Sequence, residues 1–229
     1  MAHALVTGAN RGLGFEFVRQ LLARGERVIA TCRQPGRALA LTRLAGEHPG
    51  HLIILPLQLP DPRSIAELVR EIAALDLRIG LLVNNAGMLV DGERFGTIEA
   101  KALHESFGAN AEGPFLLTQA LAPRLERAKV VNLSSRLASI GASESLHSPS
   151  YSISKAALNM ASRVLAHALA AQDGIVVAMS PGWVSTDMGG ANAPLTPPDS
   201  VTAMLRAIDA LTGKDNGRFL SADGATIPW

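Results

Sequence analysis

The sequence predicts an α/β protein, a doubly wound parallel sheet with helices on both faces, formed as one domain over residues 1–229. Three observations point there. Six short apolar runs recur along the chain, separated by segments with helical periodicity. The runs are continuous rather than alternating, as in strands covered on both faces. The first run leads directly into a glycine-rich turn and then an amphipathic segment, the order in which such folds hold a phosphate.

From the amino end, "ALVTG" (4–8) reads as the first strand and "GFEFVRQLLARG" (14–25) as the helix after it, ending at Gly25. "RVIAT" (27–31) is the second strand and "GRALALTRLAG" (36–46) the next helix. "HLIILPL" (51–57) is followed by "PRSIAELVREIAALD" (62–76), which opens after Asp61-Pro62 in the manner of a helix start. "LLVNN" (81–85) precedes one long helical segment, "ALHESFGANAEGPFLLTQALAPRLERA" (102–128). "KVVNLS" (129–134) leads to a helix from Tyr151 to Gln172, and "IVVAMS" (175–180) is the sixth strand. Repeated β–α units of this kind wind with right-handed crossovers. The stretch "STDMGGANAPLTPPDS" (185–200) reads as a loop at the carboxyl edge of the sheet, placed to act as a substrate lid, with an ordinary surface loop as the alternative.

Composition narrows the function. Hydrophobic residues make up 48% and charged residues 18%, which suits a large buried core and not a disordered chain. The net charge is +1 with acids and bases mixed, so there is no footprint for nucleic acid or an anionic membrane. No apolar run approaches the ~18 residues that span a bilayer, and "MAHALVTG" lacks the regions of a signal peptide. The single cysteine, Cys32, excludes an intramolecular disulfide and fits a cytoplasmic location, with packing as its expected role. The six histidines show no metal-binding spacing; His48 and His51 are expected at the surface.

The glycine turn "TGANRGLG" carries the first chemical signal. Gly8 permits the turn, Gly12 lets backbone approach a pyrophosphate, and Gly14 allows close helix–strand packing. An acid near the end of the second strand would select NAD, but "VIATCRQPGR" (28–37) contains none. Arg33 stands there instead, and Arg11 lies within the turn; a guanidinium suits a 2′-phosphate, so NADP(H) is expected over NAD(H). The second signal is "SPSYSISKAALNM" (148–160). It holds the only tyrosine of the chain, and one of its four lysines stands four positions on, so Tyr151 and Lys155 share a helix face. A nearby ammonium favours the phenolate of a tyrosine, which otherwise titrates near ~10.

Together with Asn84–Gly87 "NNAG", Asn110 in "GANAEGPF", Ser135 in "VVNLSS", "PG" at 181–182 and Thr186, these motifs make the chain resemble the short-chain dehydrogenase/reductase family along its whole length. "PGWVSTDMGG", "DSVTAMLRAID" and "GRFLSADGATIPW" are similar to the branch of C-factor and sniffer-like carbonyl reductases. The resemblance implies a seven-stranded Rossmann-type sheet of order 3-2-1-4-5-6-7, with "GRFL" (217–220) as the seventh strand. It implies catalysis by Asn110, Ser135, Tyr151 and Lys155: a water-holding residue, a hydrogen-bond donor to the substrate oxygen, the acid–base group, and its electrostatic support and ribose anchor. It lays the cofactor along Gly8, Asn10, Arg11, Gly12, Leu13, Gly14, Arg33, Gln58, Leu59, Asn84, Ala86, Gly87, Tyr151, Lys155, Pro181, Gly182, Val184 and Thr186.

Two departures from the family pattern stand out. Ser135 lies sixteen residues before Tyr151, about three more than in many members, and Gln58 replaces a common aspartate at the adenine. His147 and Trp183 are candidates to face substrate, with an exposed loop residue and a core residue as the respective alternatives. The expected activity is interconversion of a small-molecule carbonyl and an alcohol, in a homodimer or homotetramer joined through the helices at 98–127 and 151–172. A dinucleotide-binding, C-factor-like signalling protein with little turnover is the alternative.

Overall fold

The computed structural model describes residues 2–229. Seven strands form one parallel sheet: β1 (His3–Val6), β2 (Val28–Cys32), β3 (Leu52–Pro56), β4 (Ile79–Asn84), β5 (Lys129–Leu133), β6 (Ile175–Ser180) and β7 (Phe219–Ser221). Their order is 3-2-1-4-5-6-7. Neighbours in each strand point to opposite faces, and both faces are apolar. Val131 and Leu133 of β5 join one core cluster while Val130 joins the other; Val177 and Met179 of β6 divide from Val176 in the same way. This is the physical origin of the continuous apolar runs.

Helices α1 (Gly12–Ala23), α2 (Leu39–Glu47) and α7 (Pro197–Ala210) cover the first face, through residues such as Phe17, Leu41 and Met204. On the second face lie α3 (Pro62–Ala74), α5 (Gly113–Leu121) and α6 (Pro149–Ala168), through Ile65, Leu117 and Leu165. Asp61 caps α3, its Oδ1 accepting the Arg63 N–H at 2.9 Å. Among the described residues no helix is long and apolar enough to cross a membrane.

Three elements differ from expectation. The long segment at 102–128 is divided: α4 (Ala100–Phe107), a π-helical turn at 108–112, then α5. Pro114 has no N–H to offer the carbonyl of Asn110 four residues earlier, so α-helical bonding cannot continue across it. The chain widens instead, with the Gly113 N–H bonded to the Gly108 carbonyl. The stretch 185–200 is not loop throughout, because α7 begins at Pro197 behind the N-cap residue Thr196. Finally, His48 and His51 are half-buried rather than fully at the surface.

Candidate active site

The carboxyl ends of β1 and β4 are tied together by a side chain that the sequence reading passed over. Thr7 Oγ1 accepts the backbone N–H groups of Asn85 (3.0 Å) and Ala86 (2.9 Å). Asn85 Nδ2 donates back to the carbonyls of Thr7 at 2.8 Å and Gly8 at 3.2 Å. Glycine is required on both sides of this contact. A Cβ at Gly14 would lie 2.4 Å from the Gly8 carbonyl oxygen, and one at Gly8 would lie 2.9 Å from the Ala86 Cα. Gly12, at φ +53, differs: its Cβ would meet only Thr186, at 3.6 Å, so the backbone face there is open. No side chain caps the first N–H groups of α1, which remain free to face an anion.

Asn110, Tyr151 and Lys155 converge across the neighbouring strands. Asn110 sits fully buried in the π-turn, its Oδ1 accepting the Met88 N–H and its Nδ2 donating to the Met88 carbonyl, both at 2.8 Å. Nδ2 also donates to Ser154 Oγ at 2.9 Å, on the helix that carries Tyr151 and Lys155. Lys155 Nζ donates to the Leu133 carbonyl at 2.6 Å and stands 5.6 Å from the Tyr151 ring centroid. Gly87 is the floor of the cluster, since a Cβ there would lie 2.9 Å from Asn110 Oδ1 and 3.5 Å from Lys155 Nζ. Ser135 lies two residues beyond the end of β5, its hydroxyl beside the Tyr151 phenol and accepting the Leu137 N–H at 3.2 Å.

Burial dominates the electrostatics. It pushes the Tyr151 phenol up to about 12, with the Ser135 hydroxyl working in the opposite direction, and it lowers Lys155 to about 8. The sequence led us to expect the Lys155 charge to lower the phenol; in this arrangement burial sets the shift, and the opposing influence is the Ser135 hydroxyl. At neutral pH the phenol keeps its proton.

The remaining candidates divide by position. Arg11 and Arg33 are exposed, as their proposed 2′-phosphate role needs, and Arg11 bonds Asp187 at 2.9 Å, a partner that the sequence did not suggest. Asn10 and Gln58 are also exposed, while Leu13 is partly buried against the core. Leu59 packs at the π-turn, where a Cβ on Gly113 would come within 2.9 Å of its own Cβ. Val184 is buried and pairs with Leu195 in an isolated bridge that closes the loop between β6 and α7; Pro181 and Gly182 lead into it.

The Asn84 side chain turns into the protein, leaving only its backbone for the cofactor role that the resemblance implies. It is buried, Nδ2 donating to Asn132 Oδ1 at 2.7 Å and to Thr118 Oγ1 at 3.1 Å, so it braces β4 against β5 and α5. Trp183 is 57% exposed, which excludes the core-packing alternative, and its Nε1 donates to the Gly189 carbonyl at 2.8 Å. His147 is an exposed loop residue whose carbonyl accepts Ser152 Oγ at 2.7 Å. Cys32 is buried in β2, where burial raises its thiol and leaves it a packing group.

The chain matches the family model described as short chain dehydrogenase over residues 2–194. It is 38% identical over 154 residues to the C-signal of Myxococcus xanthus, covering 66% of this chain and 93% of that protein. Its structure is similar to that of the carbonyl reductase Sniffer of D. melanogaster, at a TM-score of 0.95 and 33% identity with both chains fully covered. It is likewise similar to the NADPH-bound carbonyl reductase from chicken fatty liver, at a TM-score of 0.93 and 36% identity, covering 100% of this chain and 99% of that one.

Proposed function

The chain belongs to the short-chain dehydrogenase family of NAD(P)-dependent oxidoreductases, and from that premise we propose that it reduces a ketone or aldehyde to an alcohol with NADPH, Tyr151 giving the proton. The observation that carries this reading is the meeting of Asn110, Tyr151 and Lys155 over Gly87, beside Ser135.

The residues fit a dinucleotide. Uncapped N–H groups at α1 and the open face at Gly12 suit its pyrophosphate. Exposed Arg33, on a stretch without acids, suits a 2′-phosphate, and NADPH in the chicken relative agrees with that preference. When bound, the nicotinamide supplies the hydride. Ser135 Oγ, next to the phenol, is placed to donate to the substrate oxygen and stabilise charge developing there. Tyr151, kept protonated by burial, then delivers the proton to the substrate oxygen. Lys155 holds the ribose side and faces the tyrosine ring. Both Nδ2 protons of Asn110 are engaged, and Pro114 leaves the Asn110 backbone carbonyl without an α-helical donor, which suits that carbonyl to hold a relay water.

Trp183, Met188, Ile140 and Leu146 are exposed on the loops at 136–148 and 183–195, and support a substrate with an apolar body and a lid formed by the second loop. The apolar outer face of α6 supports a homodimer or homotetramer, and a cytoplasmic setting accords with the lone buried thiol. The likeness to C-signal favours a second reading, a dinucleotide-binding signalling protein with little turnover.

Oxidation of NADPH and of NADH against aldehydes, ketones and quinones separates these readings. Turnover is expected with NADPH above NADH, falling about 10²- to 10⁴-fold in Tyr151→Phe. Undiminished turnover in that variant would refute the acid role. Tight NADPH binding with no turnover across the panel would favour signalling.

A further inference from the structure

The helix that carries Tyr151 and Lys155 has no cap from its own sequence. Ser148, at the N-cap position, lies at φ +40 and its side chain bonds no helix N–H, and the first turn holds no acid. The cap comes from the loop between β4 and α4. Glu93 Oε2 accepts the Ser150 N–H at 3.1 Å and the Ser150 hydroxyl at 2.9 Å, across 57 residues of sequence. Ser106 Oγ donates to Ser150 Oγ at 3.2 Å, which leaves the Ser150 hydroxyl to donate toward the carboxylate. Glu93 Oε1 is buried with no partner, so the contact carries the cost of an unpaired acceptor. The positive end of α6 offsets part of that cost.

The same loop is held at its start by Asn110, through Met88. The segment from Met88 to Glu93 therefore bridges the π-turn residue of the site to the residue immediately before Tyr151. From this geometry we propose that Glu93 is a positioning residue for catalysis, setting Tyr151 against Ser135 by clamping the first turn of α6. The inference rests on the reading of Tyr151 as the proton donor.

The test measures kcat, KM and NADPH affinity for Glu93→Ala, Glu93→Gln and Ser150→Ala beside Tyr151→Phe. Misplacing a reacting group by about 1 Å costs up to about 100-fold in rate. Glu93→Ala is accordingly expected to lower kcat about 10- to 100-fold with KM and NADPH affinity unchanged. Glu93→Gln keeps an oxygen for the Ser150 N–H and should recover most of that loss. Ser150→Ala, a milder cut of the same contact, should lower kcat severalfold and carries the test should Glu93→Ala not fold. Normal kcat in Glu93→Ala or Ser150→Ala with a defective Tyr151→Phe would overturn the positioning role alone. Loss of NADPH affinity in parallel with kcat, without rescue by glutamine, would also overturn it, as the mark of a merely structural cap. Undiminished turnover in Tyr151→Phe would remove the proton-donor reading and this inference with it.

Discussion

Tyr151 and Lys155 are both buried, at 9% and 4% exposure, and burial moves their proton affinities in opposite senses. Lys155 releases its proton near 8 in the folded chain against an ordinary value of 10.5, so between those values the unfolded chain binds more protons and stability rises with pH. Tyr151 acts the other way between 10 and about 12, where the unfolded chain has already lost the phenol proton. The lysine effect can therefore be read below pH 10. Urea unfolding from about pH 7 to about pH 9.5 should show wild type gaining about 2 kcal/mol relative to Lys155→Met. Equal pH dependence in the two proteins would mean that Lys155 is not desolvated as described. The helical spacing of the pair was legible in the sequence; the direction of the phenol's shift was not, because desolvation depends on residues brought in from β4, β5 and the loops around them.

Elements follow local chemistry where their termini are marked. The opening of α3 after Asp61 could be read directly, whereas α7 was passed over although Thr196, Pro197 and Asp199 carry N-terminal signals. Its paired prolines and the small residues before them gave the stretch the composition of a loop. Thr196 Oγ1 accepts the Asp199 N–H at 3.3 Å, and Thr196→Ala should cost about 1 kcal/mol in urea unfolding. No change in stability would show that the prolines alone start the helix. The π-turn was hidden for a different reason: an apolar helical period continues through it, and only the missing N–H of Pro114 marks the break. That break is also what sets Asn110 against Met88 and Ser154.

At the scale of the whole molecule, the helices of the second face leave an apolar stripe uncovered. Ile153, Met160 and Val164 recur along the outside of α6, with Phe107 on the adjacent α4, and Met160 is 66% exposed. Spacings of seven and four residues place the three α6 side chains on one side of that helix. A second copy of the chain is the occupant we expect. Light scattering after size exclusion should give a dimer or tetramer for wild type and a monomer for Met160→Glu. A monomeric wild type at micromolar concentration would sink this assembly.

The alternation of doubly buried strands with amphipathic helices, the glycine turn and the one-turn spacing of Tyr151 and Lys155 were determined by the sequence itself, because each is a local period or a local steric need. The seventh strand, only three residues long, was legible only by resemblance. Tertiary structure alone decided the partners of the polar side chains: Asn84 turned inward to Asn132, Arg11 met Asp187 across 176 residues, and Glu93 reached the start of α6. Such pairings are set by which loops the sheet order brings to one edge, and no period within the chain encodes them.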